Sequence, residues 1–261
     1  MSYFKRLKKK YKETKKKSIL VYFTLRILVI LCMILELLRG DLNNAFLCFL
    51  SLLLFTIPTF IEDKFKIGIP SLLESIIYIF IFSAEILGEI NNFYGNIPYW
   101  DTMLHTINGF LAAGVGFSLV DLLNENSKNI NLSPLYVAIV SFCFSMTIGV
   151  VWEFYEYGMD KYLNLDMQKD RIVNKIATVY LDSNQSNKVI LINDIKETHV
   201  ITSDGVIVIP DGYLELGLND TMKDLMVNFL GAVVFSSIGY LYIKNRNKFK
   251  FATNFIPYKV R

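Results

Sequence analysis

No cysteine of this chain lies outside a long apolar run: Cys32, Cys48 and Cys143 are all embedded in hydrophobic stretches. That placement excludes a disulfide framework and CxxC-type metal or redox chemistry, and it leaves the thiols as small core residues. A glycine-rich phosphate loop, a Gly-x-Ser-x-Gly elbow and an internal repeat are also missing, which removes the usual sequence signals of nucleotide binding and serine hydrolysis. A cleavable signal peptide is not expected either. The first apolar run is too long for one and has no small-residue cleavage site, so it reads as a retained signal anchor.

What remains is hydrophobic. Of 261 residues 53% are apolar and the mean hydropathy is +0.38, values that suit a polytopic membrane protein better than a soluble domain. Six runs approach the roughly 20 residues needed to cross hydrocarbon: Ser18 to Leu38, Asn44 to Ile61, Ile69 to Glu89, Asp101 to Leu123, Ser133 to Tyr157 and Asp220 to Ile243. The expected fold class is therefore an all-α polytopic membrane helical bundle. Nine of the first 17 residues are Lys or Arg, and six more follow Ile243. By the positive-inside rule both termini belong in the cytoplasm, and the location reads as a plasma membrane with multiple passes. The organisation is then a basic cytoplasmic segment at 1–17, five spans at 18–157, an extracytoplasmic insert at 158–219, a sixth span at 220–243 and a basic cytoplasmic tail at 244–261. The basic amino terminus reads as an anchor for membrane lipids rather than for nucleic acid.

Within the insert, residues 178–210 contain short β-rich runs, among them KVILIND, THVITS and GVIVIP, separated by turn signals such as Asp204-Gly205. They predict a small β-meander. At about 60 residues such a segment is marginal as an independent domain.

Acidic residues and one histidine recur at helical spacing near the ends of three spans: Trp100-Asp101-x-x-x-His105, Trp152-Glu153-x-x-Glu156 and Asp220-x-x-x-Asp224-x-x-x-Asn228. The topology puts all of them on the extracytoplasmic side. An ionisable group in hydrocarbon costs roughly 2.5 to 3.5 kcal/mol, so such residues face a bundle interior or a wet cavity and have partners. Several carboxylates in one place must be protonated, separated by water or neutralised by a cation. Oxygen ligands with one imidazole suit Mg, Mn, Ca or Zn. In this reading Asp101, His105, Glu156 and Asp220 are metal ligands, Glu153 and Asp224 are the catalytic acid–base groups, and Asn108 and Asn228 contact substrate. The competing reading makes Asp101 and Asp220 ordinary helix N-terminal caps. Trp100 and Trp152 fit an interfacial belt. Glu85 and Glu89 could join the cluster, and His199 reads as a surface residue. At the opposite end a structural ion pair of Arg26 with Glu74 or Asp121 is expected.

At these residues the chain resembles a family. Trp100-Asp101-x-x-x-His105-x-x-Asn108-Gly109-Phe110, Trp152-Glu153-x-x-Glu156 and Asp220-x-x-x-Asp224-x-x-x-Asn228-x-x-Gly231-Ala232 look like the YjdF-like uncharacterised bacterial membrane proteins and, more distantly, VanZ-like proteins linked to glycopeptide resistance. The resemblance implies the membrane architecture and a shared polar site, and it leaves the reaction open. The long insert departs from the pattern, as does Asn228 where relatives carry Asp.

Three classes follow. The first is a metal-dependent hydrolase or transferase acting on a lipid or cell-envelope precursor through metal-activated water. The others are a cation- or proton-coupled transporter and a non-catalytic envelope-stress or resistance factor whose insert recruits a partner.

Overall fold

The structure is a computed structural model that describes the backbone of residues 3–126 and 132–259 and the side chains of residues 18–124 and 132–259. The side chains of the basic arm at 1–17 therefore lie outside the described residues. Among the described residues, six helical stretches are long and apolar enough to cross a membrane: Ser18–Arg39, Leu42–Phe65, Ser71–Ile90, Trp100–Asn124, Pro134–Leu163 and Leu218–Lys244. The expected six-span helical architecture is thus present.

The first span is part of α1 (Tyr3–Arg39). The second divides into α2 (Leu42–Leu54) and α3 (Ile57–Phe65). Pro58 lies in the first turn of α3, where its missing N–H costs least, so the break falls just before it at Phe55 and Thr56. In the third span, α4 (Ser71–Ile81) passes into a π-helical segment, Phe82–Ile90. The short α5 (Phe93–Asn96) then leads to α6 (Trp100–Asn126). Trp100, expected in an interfacial belt, donates its indole N–H to the Ser83 carbonyl at 3.3 Å. The fifth and sixth spans are α7 (Pro134–Leu163) and α8 (Leu218–Lys244). Because α7 runs on beyond Tyr157, Glu153 and Glu156 lie inside the helix and not in its last turn.

The chain divides into two compact units, residues 1–149 with 226–261 and residues 150–225. In the first unit, α6 and α8 come into backbone contact. A Cβ on Gly109 would strike the Asn228 carbonyl, and one on Gly231 would strike the Thr106 carbonyl. Small residues are what permit such an approach between membrane helices. Hydroxyls join α7 to the pair: Ser145 donates to the Gly109 carbonyl and Ser141 to the Ala113 carbonyl, each at 2.7 Å. Ser236 of α8 reaches Ser141 at 3.3 Å. A second apolar cluster, Val29, Cys48, Phe55, Tyr78 and Ile86, joins the first three spans.

The segment expected as a basic tail is folded. After α8 the chain makes a 3-10 turn, Lys250–Asn254, and a strand, β8 (Tyr258–Lys259), that pairs antiparallel with β1 (Ile67–Gly68). Ala252 and Ile256 are buried with Phe117, Phe235 and Tyr242, and Phe255 stacks edge-on against Phe110 at 5.4 Å.

In the second unit the expected meander is replaced by separate two-stranded antiparallel pieces. β2 (Arg171–Val173) pairs with β7 (Tyr213–Glu215), β3 (Ile176–Thr178) with β4 (Ile190–Ile192), and β5 (Glu197–Thr202) with β6 (Gly205–Pro210). The hairpin at Asp204-Gly205 is the expected one. The β2–β7 pairing instead joins the two ends of the insert, an association with no local sequence signal.

Replacing Gly109 or Gly231 with Ala should destabilise the protein by at least about 1–3 kcal/mol, since a methyl there meets backbone that can yield only by separating the helices. Thermal unfolding in detergent would show this as a lowered Tm. Gly158→Ala, where a Cβ meets nothing, is the control that should leave Tm near wild type.

Candidate functional site

Among the described residues, one group has the donors and spacing of a cation site. A ligand atom from each of Asp101, His105 and Asp224 lies within 4.8 Å of the others. Asp101 and His105 follow each other at one-turn spacing on α6, with His105 Nε2 3.3 Å from Asp101 Oδ1. Asp224 stands on α8 one turn before Asn228 and is 2% exposed. The Lys223 ammonium lies 3.8 Å from Asp224 Oδ1, close enough for charge attraction but beyond a hydrogen bond.

Asn108 and Asn228, expected to contact substrate, are used in the helix interface. Asn108 Nδ2 donates to Asn228 Oδ1 at 3.4 Å. Asn228, 1% exposed, turns its own amide N–H toward the Ser145 carbonyl at 3.4 Å and the Met146 sulfur at 3.7 Å. One amide thus touches both α6 and α7.

Asp220 was expected among the ligands and serves elsewhere. Its Oδ1 accepts from Arg171 Nη2 and its Oδ2 from the Lys169 backbone N–H, both at 3.0 Å. The first turn of α8 also meets Glu215, whose carboxylate accepts the backbone N–H groups of Leu218 and Asn219 at 2.7 and 3.1 Å. Desolvation pushes the Glu215 pKa up, but hydrogen bonds from Asn219 and Leu218 together with Arg171 outweigh it and hold the carboxyl below its ordinary value. Glu153 and Glu156 are both buried. Glu156 accepts the Trp152 indole N–H at 2.8 Å, so this tryptophan is a partner of the acidic pair. Glu85 and Glu89 sit on the π-helical segment and are not in the Asp101, His105 and Asp224 group. His199 is exposed and contacts Glu197 at 2.8 Å.

The second expected group is partnered differently. Asp121 pairs with Arg246 at 2.8 Å, and Arg246 also lies over the Tyr242 ring. Arg26 donates to the Tyr22 hydroxyl, while Glu74 accepts from the Tyr78 hydroxyl at 3.0 Å. Sequence reasoning missed Arg246, Arg171, Tyr22 and Tyr78. Arg246, Tyr22 and Tyr78 had a readable signal, since each is four residues from a partner, Tyr242, Arg26 and Glu74 respectively.

In the insert, Asp182 organises the turn between β3 and β4. Its carboxylate accepts the backbone N–H groups of Asn184, Ser186 and Lys188 and the Ser186 hydroxyl, at 2.8 to 3.2 Å. The Lys188 and Ser186 bonds hold its pKa below the ordinary value against the opposing effect of desolvation.

A family model described as "Predicted membrane protein (DUF2238)" matches residues 20–245, in agreement with the YjdF-like resemblance. A protein of Thermotoga maritima described as "Uncharacterized protein" is 22% identical over 160 residues, 61% of this chain and 57% of its own length. The aligned stretch therefore spans little more than half of that relative. No solved structure matches.

Since its pKa is depressed on folding, the Asp182 contribution is fully present above the unfolded carboxyl value near 4 and is lost as pH falls through the lower folded value. Amide exchange at Ser186 and Lys188, corrected for intrinsic rate, should stay protected at neutral pH and lose protection only in that acidic window. Asp182→Asn should expose both amides at every pH.

Proposed function

The chain belongs to the DUF2238 family of predicted membrane proteins, and from that premise we propose that it holds a divalent cation at Asp101, His105 and Asp224. The cation would serve a hydrolase or transferase acting on a lipid or cell-envelope precursor at the extracytoplasmic face of the bacterial plasma membrane. The observation that carries this reading is the mutual spacing of the three donors. Oxygen ligands of a Ca ion bonded at about 2.4 Å lie at most about 4.8 Å apart, and those of Mg, Mn or Zn at about 2.1 Å lie somewhat closer. The trio is therefore within a side-chain adjustment of coordination distance. Two carboxylates with one imidazole form a donor set that such ions accept.

A cation so held would polarise a phosphoryl oxygen and make bound water acidic enough to supply hydroxide near neutral pH. With Asp224 assigned to the cation, buried Glu153 is left to accept the proton that water loses. Attack on phosphorus would form one P–O bond and break the bond to the leaving group, which takes up a proton in turn. The lysines and arginines flanking the first and last spans favour cytoplasmic termini, and hence an extracytoplasmic site.

The folded-back segment after α8 favours an enzyme over a transporter. A transport path needs polar groups through the full depth, yet Ser236 is already bonded to Ser141, and Ala252 and Ile256 fill the core at the end of the bundle that carries β1 and β8. These features suit a site approached from one end.

Elemental mass spectrometry of protein purified without chelator, after incubation with Mg, Mn, Ca or Zn, should find about one ion per chain. His105→Ala and Asp224→Ala should each lose it, whereas Asp220→Asn should retain it. An absence of metal in folded wild type under all four conditions would sink the proposal.

A further inference from the structure

Arg26 is a cationic side chain within the first membrane-spanning helix. It lies on α1 about 12 Å from Ser18, the start of the apolar span, at roughly 1.5 Å per residue. Its guanidinium donates to the Tyr22 hydroxyl and lies 5.4 Å from the centre of the Tyr22 ring. Among the described residues no carboxylate pairs with it, and most of its N–H donors are unused. Glu74, a partner expected from the sequence, accepts from the Tyr78 hydroxyl at 3.0 Å. It meets the arginine only through the contact between the Tyr22 and Tyr78 rings, 5.2 Å apart.

An unneutralised guanidinium at hydrocarbon depth is costly unless it snorkels to an anion. Two features lower the barrier at this place. Helical side chains lean toward the helix N-terminus, so Arg26 leans toward the basic end of α1. The second span is also broken near this depth. Counted from the Arg39 and Leu42 ends, α1 down to Arg26 and α2 down to Leu54 each cover about 20 Å, so Arg26 stands level with the break at Phe55 and Thr56. Tyr22 and Phe55 rings lie 6.4 Å apart, which puts the break within about one helical turn of Arg26. The same helix continues into nine basic residues among the first 17, and Lys64 and Lys66 flank the loop after α3. Such a belt concentrates anionic phospholipid near the membrane surface.

We infer that Arg26, seated on Tyr22 beside the break in the second span, binds the headgroup phosphate of an anionic phospholipid in the leaflet at the basic end of the bundle. A guanidinium offers phosphate a bidentate pair of N–H donors. The phosphate would neutralise the intramembrane charge, and this site is separate from the one containing His105.

The test is native mass spectrometry of the full chain released from nanodiscs of equal phosphatidylglycerol and phosphatidylcholine. Wild type should retain phosphatidylglycerol in preference to phosphatidylcholine, and Arg26→Gln should reduce that preference about tenfold. Glu74→Gln, which removes the competing carboxylate, should keep or raise it. An Arg26→Gln protein with wild-type preference would assign the effect to the basic arms and overturn the inference, as would a wild type with no preference. If Arg26→Gln does not fold, the decision passes to two other variants. Retention weakened by Arg26→Lys but surviving Glu74→Gln supports the site; retention unchanged by the first or lost in the second overturns it.

Discussion

The near-contact of α6 with α8 is the constraint on which the rest of the structure depends. Lipid tails are as apolar as leucine, so membrane helices gain little by hiding apolar side chains from them and associate through close packing and interhelical hydrogen bonds. Gly109 and Gly231 let the two backbones touch. That distance brings the Asn108 and Asn228 amides together and lets Ser145 cap the Gly109 carbonyl from α7. Each of these bonds is worth about 0.6 kcal/mol. Their effect is to fix the axial register of three helices, because a slip of one residue would move every small side chain off its partner.

Charge within the spans follows a second rule, that each ionisable group needs a local answer. Asp121 has Arg246 and Glu74 has Tyr78. Arg26 has an aromatic ring and a hydroxyl but no carboxylate. At Asp101 and Asp224 two acids stand around one imidazole, with Lys223 no nearer than 3.8 Å to Asp224. The molecule thus answers the charges near Asp121 one partner at a time, whereas around His105 two acids share one imidazole. A grouping of this kind suits a bound cation or a shared proton.

Much of the architecture was legible because hydrocarbon thickness imposes a length on each span, and apolar runs of that length stand out in the sequence. The spacing of Asp101 and His105, and the place of Asp224 near the start of the last span, were equally visible, since helical periodicity is local. Features that depend on partners distant in sequence were not. The Asp121–Arg246 pair joins residues on different helices, with the arginine in a stretch that reads as a solvated tail. Phe249, Phe255 and Ile256 within that stretch hinted that it would fold back. Asp220 could be read as ligand or cap, and the deciding partner, Arg171, sits on a strand whose position depends on the β2–β7 pairing. Asn228 was ambiguous for a similar reason: a buried amide in a helix interface and a substrate contact have the same sequence signature.

The packing also bears on why the acidic group sits where it does. A cation site needs its donors held to within about half an ångström, and donors on rigid helices meet that demand better than donors on loops. Asp224 is one helical turn from Asn228, and His105 is three residues from Asn108, so the residues that set the register are adjacent in each helix to the residues that would bind the ion. Loss of register would therefore displace these donors before it unfolded the bundle. The glycines at 109 and 231 then constrain the site through geometry, although neither carries a side chain that could touch a metal or a substrate.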